Sequence, residues 1–281
     1  MRGYLGLARP LNAGMSAVGV FVGGFVAVGP GAFLDVGVRL ALAAVAAASF
    51  TAGGNALNDI TDRATDAVNH PDRPLPAGRL SVGQARVFAA ASFALAAALG
   101  ALVNVWCLAI VLANALLMYA YESGLKVRGF PGNLTIAYLV GSLFVFAGFA
   151  SYTGDATGDA TRLSRVGVLA ALAFLTTVGR EVAKDIEDMA GDVDRRTLPQ
   201  RIGARPAGVV AALAFAAGVA FSVVPWSFGL MAPAYAAIVV VADGMFIYAA
   251  LRSATRPARA QRVAKYAMVV ALAAFLAGGV R

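Results

Sequence analysis

Charged residues are scarce in this sequence. Asp, Glu, Lys and Arg make up 14 % of its 281 residues, whereas 60 % are hydrophobic and the mean hydropathy is +0.75. Soluble globular domains carry roughly 25 % charged residues, so the composition excludes a water-soluble domain. The chain also has a single cysteine, Cys107, and a single histidine, His70. These counts exclude an intrachain disulfide and a metal site built from histidines.

Common nucleotide-binding and hydrolase motifs are missing as well. The sequence contains no Walker loop, no Rossmann glycine pattern and no serine nucleophile elbow. Because such motifs cradle phosphates or activate a serine, their absence from the sequence argues against nucleotide-driven transport.

Long apolar runs dominate what remains. Nine of them reach about 20 residues, the length that crosses roughly 30 Å of hydrocarbon as a helix. Their centres lie near Val20, Val45, Ser92, Val111, Val140, Leu172, Phe215, Val239 and Val270. The runs lack the alternation of about ten residues that is typical of membrane β-strands. We therefore predict an all-α integral membrane protein with nine transmembrane helices in a bundle, forming a single transmembrane domain over residues 1–281.

The basic residues predict how the chain crosses the membrane. When the loops are grouped alternately, 19 of the 23 Lys and Arg residues fall on one side. The positive-inside rule then predicts a multi-pass protein of the cell membrane with a cytoplasmic N-terminus and an outer C-terminus. The loops after helices 2, 4, 6 and 8 are predicted to be cytoplasmic. This topology explains the net charge of +8, so no nucleic-acid partner is predicted.

Ten of the 15 acidic residues lie in two of these cytoplasmic segments, 59–72 and 181–194. Within them the stretches NDITDRATD and DIEDMAGD each have aspartates spaced i, i+3, i+7, which places them on one helical face. The two triplets are Asp59, Asp62 and Asp66, and Asp185, Asp188 and Asp192. Related loops follow, RPLP from Arg73 and RTLP from Arg196. The constant offset of 126 residues predicts two four-helix pseudo-repeats followed by a ninth helix.

Carboxylates clustered at a membrane surface require a partner. They repel one another and are costly near hydrocarbon, and too few cations are adjacent in the sequence to neutralise six of them. Oxygen ligands without nearby Cys or His favour Mg²⁺ or Mn²⁺, and Mg²⁺ completes its shell with water and substrate phosphates. The two triplets and the loop arginines therefore predict a diphosphate held through metal ions. Solvated helix ends topped by acids are the alternative.

The two motifs resemble the aspartate-rich motifs of the UbiA-type intramembrane prenyltransferases, of which the first has the pattern NDxxDxxxD. The resemblance implies nine helices around a central cavity, an isoprenyl diphosphate donor, a lipid-like acceptor and Mg²⁺, with two ions expected. It implies that the metal ligands are Asn58, Asp59, Asp62, Asp66, Asp185, Asp188 and Asp192. Metal ions and cationic side chains would neutralise the leaving diphosphate while a nucleophile traps the allylic carbocation.

Two further stretches resemble the archaeal branch of this family, which forms the second ether bond of archaeal lipids. They run from Tyr119 to Gly148 and from Gly179 to the second triplet. The resemblance implies geranylgeranyl diphosphate as donor and the free hydroxyl of geranylgeranylglyceryl phosphate as acceptor. The substrate-binding residues are predicted to be Asn55, Arg73, Tyr119, Tyr121, Lys126 and Arg128. The catalytic residues are predicted to be Asp62, Asp66, Glu122, Lys126, Asp188 and Asp192, with Glu122 as the base for the acceptor hydroxyl.

Three alternatives stay open. An aromatic ring is an alternative acceptor for the same fold. A divalent-cation transporter is more distant, because it needs acids near mid-membrane with access from both faces, whereas both triplets lie at one face. The tyrosines are equally typical of an interfacial aromatic belt, and Lys126 and Arg128 are equally typical of positive-inside topology.

The loop before RPLP departs from the family pattern. A basic residue is common there in the family, whereas this chain has His70 and Asp72. Arg73 is therefore the expected diphosphate contact in this loop.

Overall fold

The computed structural model describes residues 2–189 and 196–279, and in this part of the chain the regular structure is entirely helical. The helices are α1 (Arg2–Ala8), α2 (Pro10–Ala32), α3 (Gly37–Thr61), α4 (Arg63–Asn69), α5 (Val82–Val103), α6 (Val105–Ala120), α7 (Phe130–Ala150), α8 (Ala156–Asp188), α9 (Leu198–Ile202), α10 (Ala204–Phe221), α11 (Val224–Ser227), α12 (Pro233–Arg252) and α13 (Pro257–Gly278). A π turn, Tyr121–Leu125, and a 3-10 turn, Lys126–Arg128, connect α6 to α7. The predicted all-α class is confirmed.

Nine helical stretches among the described residues are long and apolar enough to cross a membrane, and they contain the nine predicted centres. The longest is α8, with 33 residues. At 1.5 Å per residue it measures about 50 Å, which exceeds the roughly 30 Å of the hydrocarbon core. Its ends therefore extend beyond the apolar region, and Asp185 and Asp188 lie at one of these ends.

The chain divides into two compact units. The first contains the residues up to Phe21 and Asp35–Ser123, and the second contains Val22–Leu34 and the residues from Gly124 onward. The boundary after Ser123 falls between the fourth and fifth spans, where the two predicted repeats also meet. The assignment of residues 1–281 to a single domain stays a prediction.

Small residues allow close helix packing in the first unit. A Cβ at Gly53 of α3 would lie 3.2 Å from the Cβ of Ser92 of α5, so these two helices approach closely. Beside them Leu7 of α1 is fully buried in a cluster with Leu75 and Leu80, two residues of the loop after the first aspartate motif. This cluster places the end of α1 and that loop together.

In the second unit α8 is the central helix and packs against α7, α10 and α13. A Cβ at Gly141 of α7 would lie 2.9 Å from the carbonyl oxygen of Ala170, and one at Gly179 of α8 would lie 2.8 Å from the Phe215 ring of α10. Glycines at helix crossings let backbones approach in membranes, where dispersion contacts replace the hydrophobic effect as the driving force. The position of α8 in the unit thus fixes where its acidic end lies.

Candidate active site

The first aspartate motif is divided between two helices. α3 ends at Thr61, Asp62 has a ψ angle of 7°, and α4 begins at Arg63. Helical residues have a ψ near −42°, so the helix is interrupted at Asp62. The prediction that all three aspartates share one continuous helical face is therefore wrong for Asp66. The backbone N–H of Asp66 still bonds to the carbonyl of Asp62 at 2.8 Å, so the chain turns without losing that hydrogen bond.

Asp59 is buried and paired with two arginines. Its side chain is 1 % exposed and forms an ion pair with Arg9, while Nη1 of Arg73 lies 3.7 Å from its Oδ1 atom. The same Nη1 atom lies 2.5 Å from Oδ2 of Asp66. A buried carboxylate is costly unless cations and hydrogen bonds compensate it. Arg9 lies 50 residues away from Asp59 along the chain, so the aspartate motif alone does not reveal this partner.

Arg9 has an unusual backbone. Its φ angle of 47° is the one positive value found for a non-glycine residue among those described, and it lies between α1 and α2. The next residue is Pro10, which disfavours the right-handed helical region for the residue before it. The Asn55 side chain donates to the carbonyl oxygen of Ala8 at 3.1 Å and so holds this break. Asn55, predicted to bind substrate, is thus seen supporting Arg9.

A second cluster in the first unit joins oxygen-bearing side chains. The amide nitrogen of Asn58 donates to Oδ2 of Asp62 and to Oε1 of Glu122, each at 3.1 Å. The Thr61 hydroxyl donates to Oε2 of Glu122 at 2.6 Å. Glu122 is 9 % exposed and belongs to the π turn after α6. Isolated π turns often occur at functional sites, and this one brings Glu122 to the predicted metal ligands Asn58 and Asp62.

The second aspartate motif lies at the end of α8, in the second unit. Asp185 accepts a hydrogen bond from the Asn133 side chain at 2.9 Å, and Asp188 is an exposed residue that ends the helix. One turn earlier Arg180 forms an ion pair with Glu181. Asp192, predicted to be a metal ligand and catalytic residue, lies outside the described residues. Asn133 is a polar partner that the aspartate spacing does not reveal.

The turn that carries two of the predicted substrate-binding residues packs against the loop that follows the second motif. Lys126 and Arg128 lie on the 3-10 turn, and the backbone N–H of Arg196 donates to the carbonyl of Val127 at 3.1 Å. Gly129 follows with a φ angle of 78°, and a Cβ there would lie 2.5 Å from the carbonyl oxygen of Arg196. Both the backbone angle and the close approach require glycine.

The predicted tyrosines differ in their surroundings. Tyr119 is 66 % exposed on α6, whereas Tyr121 begins the π turn and is half-buried. The exposure of Tyr119 is that of a residue on the outside of its unit, where an aromatic side chain at a membrane interface would lie. Tyr121 directly precedes Glu122, which belongs to the oxygen cluster, so Tyr121 is the better candidate of the two tyrosines for a substrate contact.

The donor set of the first unit fits a hard divalent cation. Within residues 2–189 and 196–279, no three Asp, Glu, His or Cys side chains are grouped as a metal site, because Asp59 and Asp66 turn to arginines. Asp62 and Glu122 nevertheless meet at Asn58, which offers two carboxylates and one amide. Mg²⁺ characteristically uses one or two carboxylates and keeps several waters, so this set suits it chemically.

Solved structures share this fold. A structure of digeranylgeranylglyceryl phosphate synthase in membranes aligns with a TM-score of 0.83 and 30 % identity, over 99 % of this chain and 97 % of that one. A UbiA homologue from Archaeoglobus fulgidus bound to GPP and Mg²⁺ aligns with a TM-score of 0.64 and 18 % identity, over 98 % of both chains. The second likeness concerns the fold alone.

Full-length relatives are similar in sequence. A digeranylgeranylglyceryl phosphate synthase from Methanopyrus kandleri is 42 % identical over 99 % of both chains. One from Halobacterium salinarum is 40 % identical over 99 % of this chain and 97 % of its own. The model of the UbiA prenyltransferase family matches residues 16–277, which confirms the family that the aspartate motifs predicted. This multi-pass membrane protein therefore belongs to the UbiA prenyltransferase family.

Proposed function

We propose that this chain transfers a geranylgeranyl group from geranylgeranyl diphosphate to the free hydroxyl of geranylgeranylglyceryl phosphate. The product has the second ether bond of archaeal membrane lipids, and diphosphate is released. The observation that carries the proposal is the 42 % identity, over nearly the whole of both chains, with a relative named digeranylgeranylglyceryl phosphate synthase. The oxygen cluster at Asn58 supports it, because it lies within the first aspartate motif.

Two Mg²⁺ ions complete the proposal. In the first unit the ligands are Asn58 and Asp62, with Asp66, which also pairs with Arg73, as a further ligand, and in the second unit they are Asp185, Asp188 and Asp192. When bound, the ions neutralise the charge that develops on the departing diphosphate. Asn58 and Asp62 are supported by their hydrogen bond of 3.1 Å and by the oxygen-only donor set.

We propose a different role for Asp59. The sequence resemblance makes it a metal ligand, yet its ion pairs with Arg9 and Arg73 support a positioning role. Held by Asp59 and Asp66, the Arg73 guanidinium has a fixed direction, and a guanidinium is well suited to bind phosphate oxygens. We assign phosphate binding to Arg73, Lys126 and Arg128 and the orientation of Arg73 to Asp59.

Bond formation involves the acceptor oxygen. The bond between C1 of the donor and the diphosphate oxygen breaks, and the acceptor hydroxyl oxygen bonds to C1 as it loses its proton. Glu122 is the proposed proton acceptor. The Asn58 amide and the Thr61 hydroxyl donate to its two oxygens, which fixes the orientation of the carboxylate within the first unit. Tyr121, adjacent in the chain, is proposed to contact substrate.

Product analysis tests this function. Purified protein in lipid vesicles is supplied with radiolabelled geranylgeranyl diphosphate, Mg²⁺ and either geranylgeranylglyceryl phosphate or 4-hydroxybenzoate. We expect a diether phosphate that disappears with EDTA and in Asp62→Ala and Asp188→Ala. The exposed Asp35, outside both motifs, gives the matched control Asp35→Ala, which should retain activity. A prenylated ring would overturn the acceptor, and transfer to neither compound would overturn the proposed reaction.

A further inference from the structure

The second unit contains a cavity, and none of its lining residues is among the predicted site residues. It has a volume of about 180 Å³ and is lined by residues of α7, α8, α10, α12 and α13. An apolar cavity of about 150 Å³ is sufficient to bind benzene. The lining is apolar except for the side chains of Thr176, Thr177, Ser222, Tyr235 and Asp243.

Asp243 lies unusually deep in a membrane-spanning helix for an acidic residue. It is the eleventh of the 20 residues of α12, so it lies about 15 Å from either end of that helix, near the middle of the hydrocarbon core. An ionisable side chain at that depth is costly, and it commonly marks a functional site. Asp243 belongs to neither aspartate motif, and it lines the cavity together with Ser222 and Tyr235.

The hydrogen bonds around Asp243 can all be satisfied when its carboxyl group carries a proton. The Ser222 hydroxyl oxygen lies 2.7 Å from the Val219 carbonyl oxygen and 2.8 Å from Oδ2 of Asp243. A hydroxyl has one hydrogen, so it cannot donate to both. If Oδ2 of a neutral Asp243 donates to Ser222 and Ser222 donates to Val219, both contacts are satisfied. The neutral form also avoids burying a charge.

This arrangement leaves a carboxyl oxygen of the cavity lining without a donor. The hydroxyl of Tyr235 donates to the carbonyl oxygen of Ser222 at 2.8 Å, so its hydrogen is already used. Oδ1 of Asp243 has no hydrogen-bond partner in the described part of the chain, where its carboxyl bonds only through Oδ2. The cavity lining therefore includes a carboxyl oxygen with unused acceptor capacity among mostly apolar side chains.

The chemistry of the lining selects the occupant. No Lys or Arg is among the lining residues described, so a phosphate or diphosphate would be desolvated without a counter-charge. A plain hydrocarbon would leave Oδ1 without a donor, which is unfavourable in a buried site. We infer that the cavity binds an uncharged apolar alcohol whose hydroxyl donates to Oδ1 of Asp243. The source is either a free alcohol or the hydroxyl of a neutral lipid.

Photolabelling of the full chain in phosphatidylcholine vesicles tests this site. The probe is an eight-carbon alcohol that carries a diazirine, and its methyl ether is the control because it lacks the donor. We expect the alcohol to label the segments around Val239 and Met268 about fivefold more than the ether, since one hydrogen bond contributes about that factor. Equal labelling by the two probes would overturn the inference.

Variants of Asp243 separate the acceptor from the cavity. Asp243→Leu should abolish the preference for the alcohol, whereas Asp243→Asn keeps a carbonyl oxygen and should retain it. An unchanged preference in Asp243→Leu would contradict the proposed contact. Unlabelled farnesol and a dialkylglycerol serve as competitors, and displacement by one or the other identifies a free alcohol or a lipid hydroxyl as the source. Displacement by neither would count against the site.

A matched pair on α13 keeps the test decisive if Asp243→Leu does not fold. Ala271 lines the cavity, whereas Ala273 on the same helix is exposed and is not part of the lining. Ala271→Leu fills the cavity and should reduce labelling at least fivefold, while Ala273→Leu should not change it. Size-exclusion elution and the melting temperature verify folding, and equal labelling of both variants would overturn the inference.

Discussion

At the residue scale, two aspartates three positions apart have different surroundings. Asp59 is almost completely buried and faces Arg9 and Arg73, whereas Asp62 is half-buried and accepts a hydrogen bond from the neutral amide of Asn58. The charge of Asp59 is therefore compensated by the two guanidinium groups. Asp62 instead shares the Asn58 amide with Glu122, and these oxygen-rich surroundings make it the better candidate for a metal ion.

This difference predicts that an Asp→Asn substitution has different effects at the two positions. Asp59→Asn removes the counter-charge of two arginines, and we expect a loss of about 1–3 kcal/mol in stability, less than for a fully buried pair because both guanidinium groups are partly exposed. Asp62→Asn should leave stability nearly unchanged but raise the Mg²⁺ concentration for half-maximal transfer at least about tenfold. Thermal unfolding and a Mg²⁺ titration of prenyl transfer measure the two effects. A tenfold rise in the Mg²⁺ concentration for half-maximal transfer in Asp59→Asn would instead indicate that Asp59 is a metal ligand.

At the element scale, the connection between α6 and α7 depends on one glycine. The Lys126–Arg128 turn meets the loop after the second motif through the hydrogen bond from Arg196 to Val127. Gly129 permits this contact, because its φ angle is positive and a Cβ there would lie 2.5 Å from the carbonyl oxygen of Arg196. The phosphate-binding role proposed for Lys126 therefore relies on the backbone position that Gly129 allows.

Gly129→Ala tests that dependence. The added methyl group meets backbone atoms, so we expect a loss of about 2–4 kcal/mol in stability and a reduced rate of prenyl transfer. Gly154→Ala is the matched control, because Gly154 also has a positive φ angle but nothing lies within 4 Å of the position that a Cβ would take there. Gly154→Ala should lose only about 1 kcal/mol in stability, the cost of a non-glycine residue at a positive φ angle, and it should retain prenyl transfer. Equal effects of the two variants in thermal unfolding and transfer assays would contradict the role of Gly129.

At the scale of the whole molecule, the sequence predicts what depends on local pattern. The nine spans are confirmed because length and hydropathy are local properties. Arg9 is missed as the partner of Asp59, since 50 residues separate them and only folding brings them together. The interruption of α3 at Asp62 is missed because the aspartate spacing is compatible with a continuous helix. Asp243 is missed because one acid barely changes the mean hydropathy of its run.

The orientation of the molecule in the membrane is a prediction from charge alone, and cysteine labelling tests it. Cys107 is buried, so an added cysteine is the expected target of a maleimide that does not cross membranes. Ala77 and Thr157 are exposed loop or helix-end residues, predicted to be cytoplasmic and external. In intact cells we expect labelling of Thr157→Cys only, and labelling of Ala77→Cys after permeabilisation, because most Lys and Arg residues are retained on the cytoplasmic side. The unmodified chain controls for Cys107, and the reversed pattern would mean that the aspartate motifs face outward.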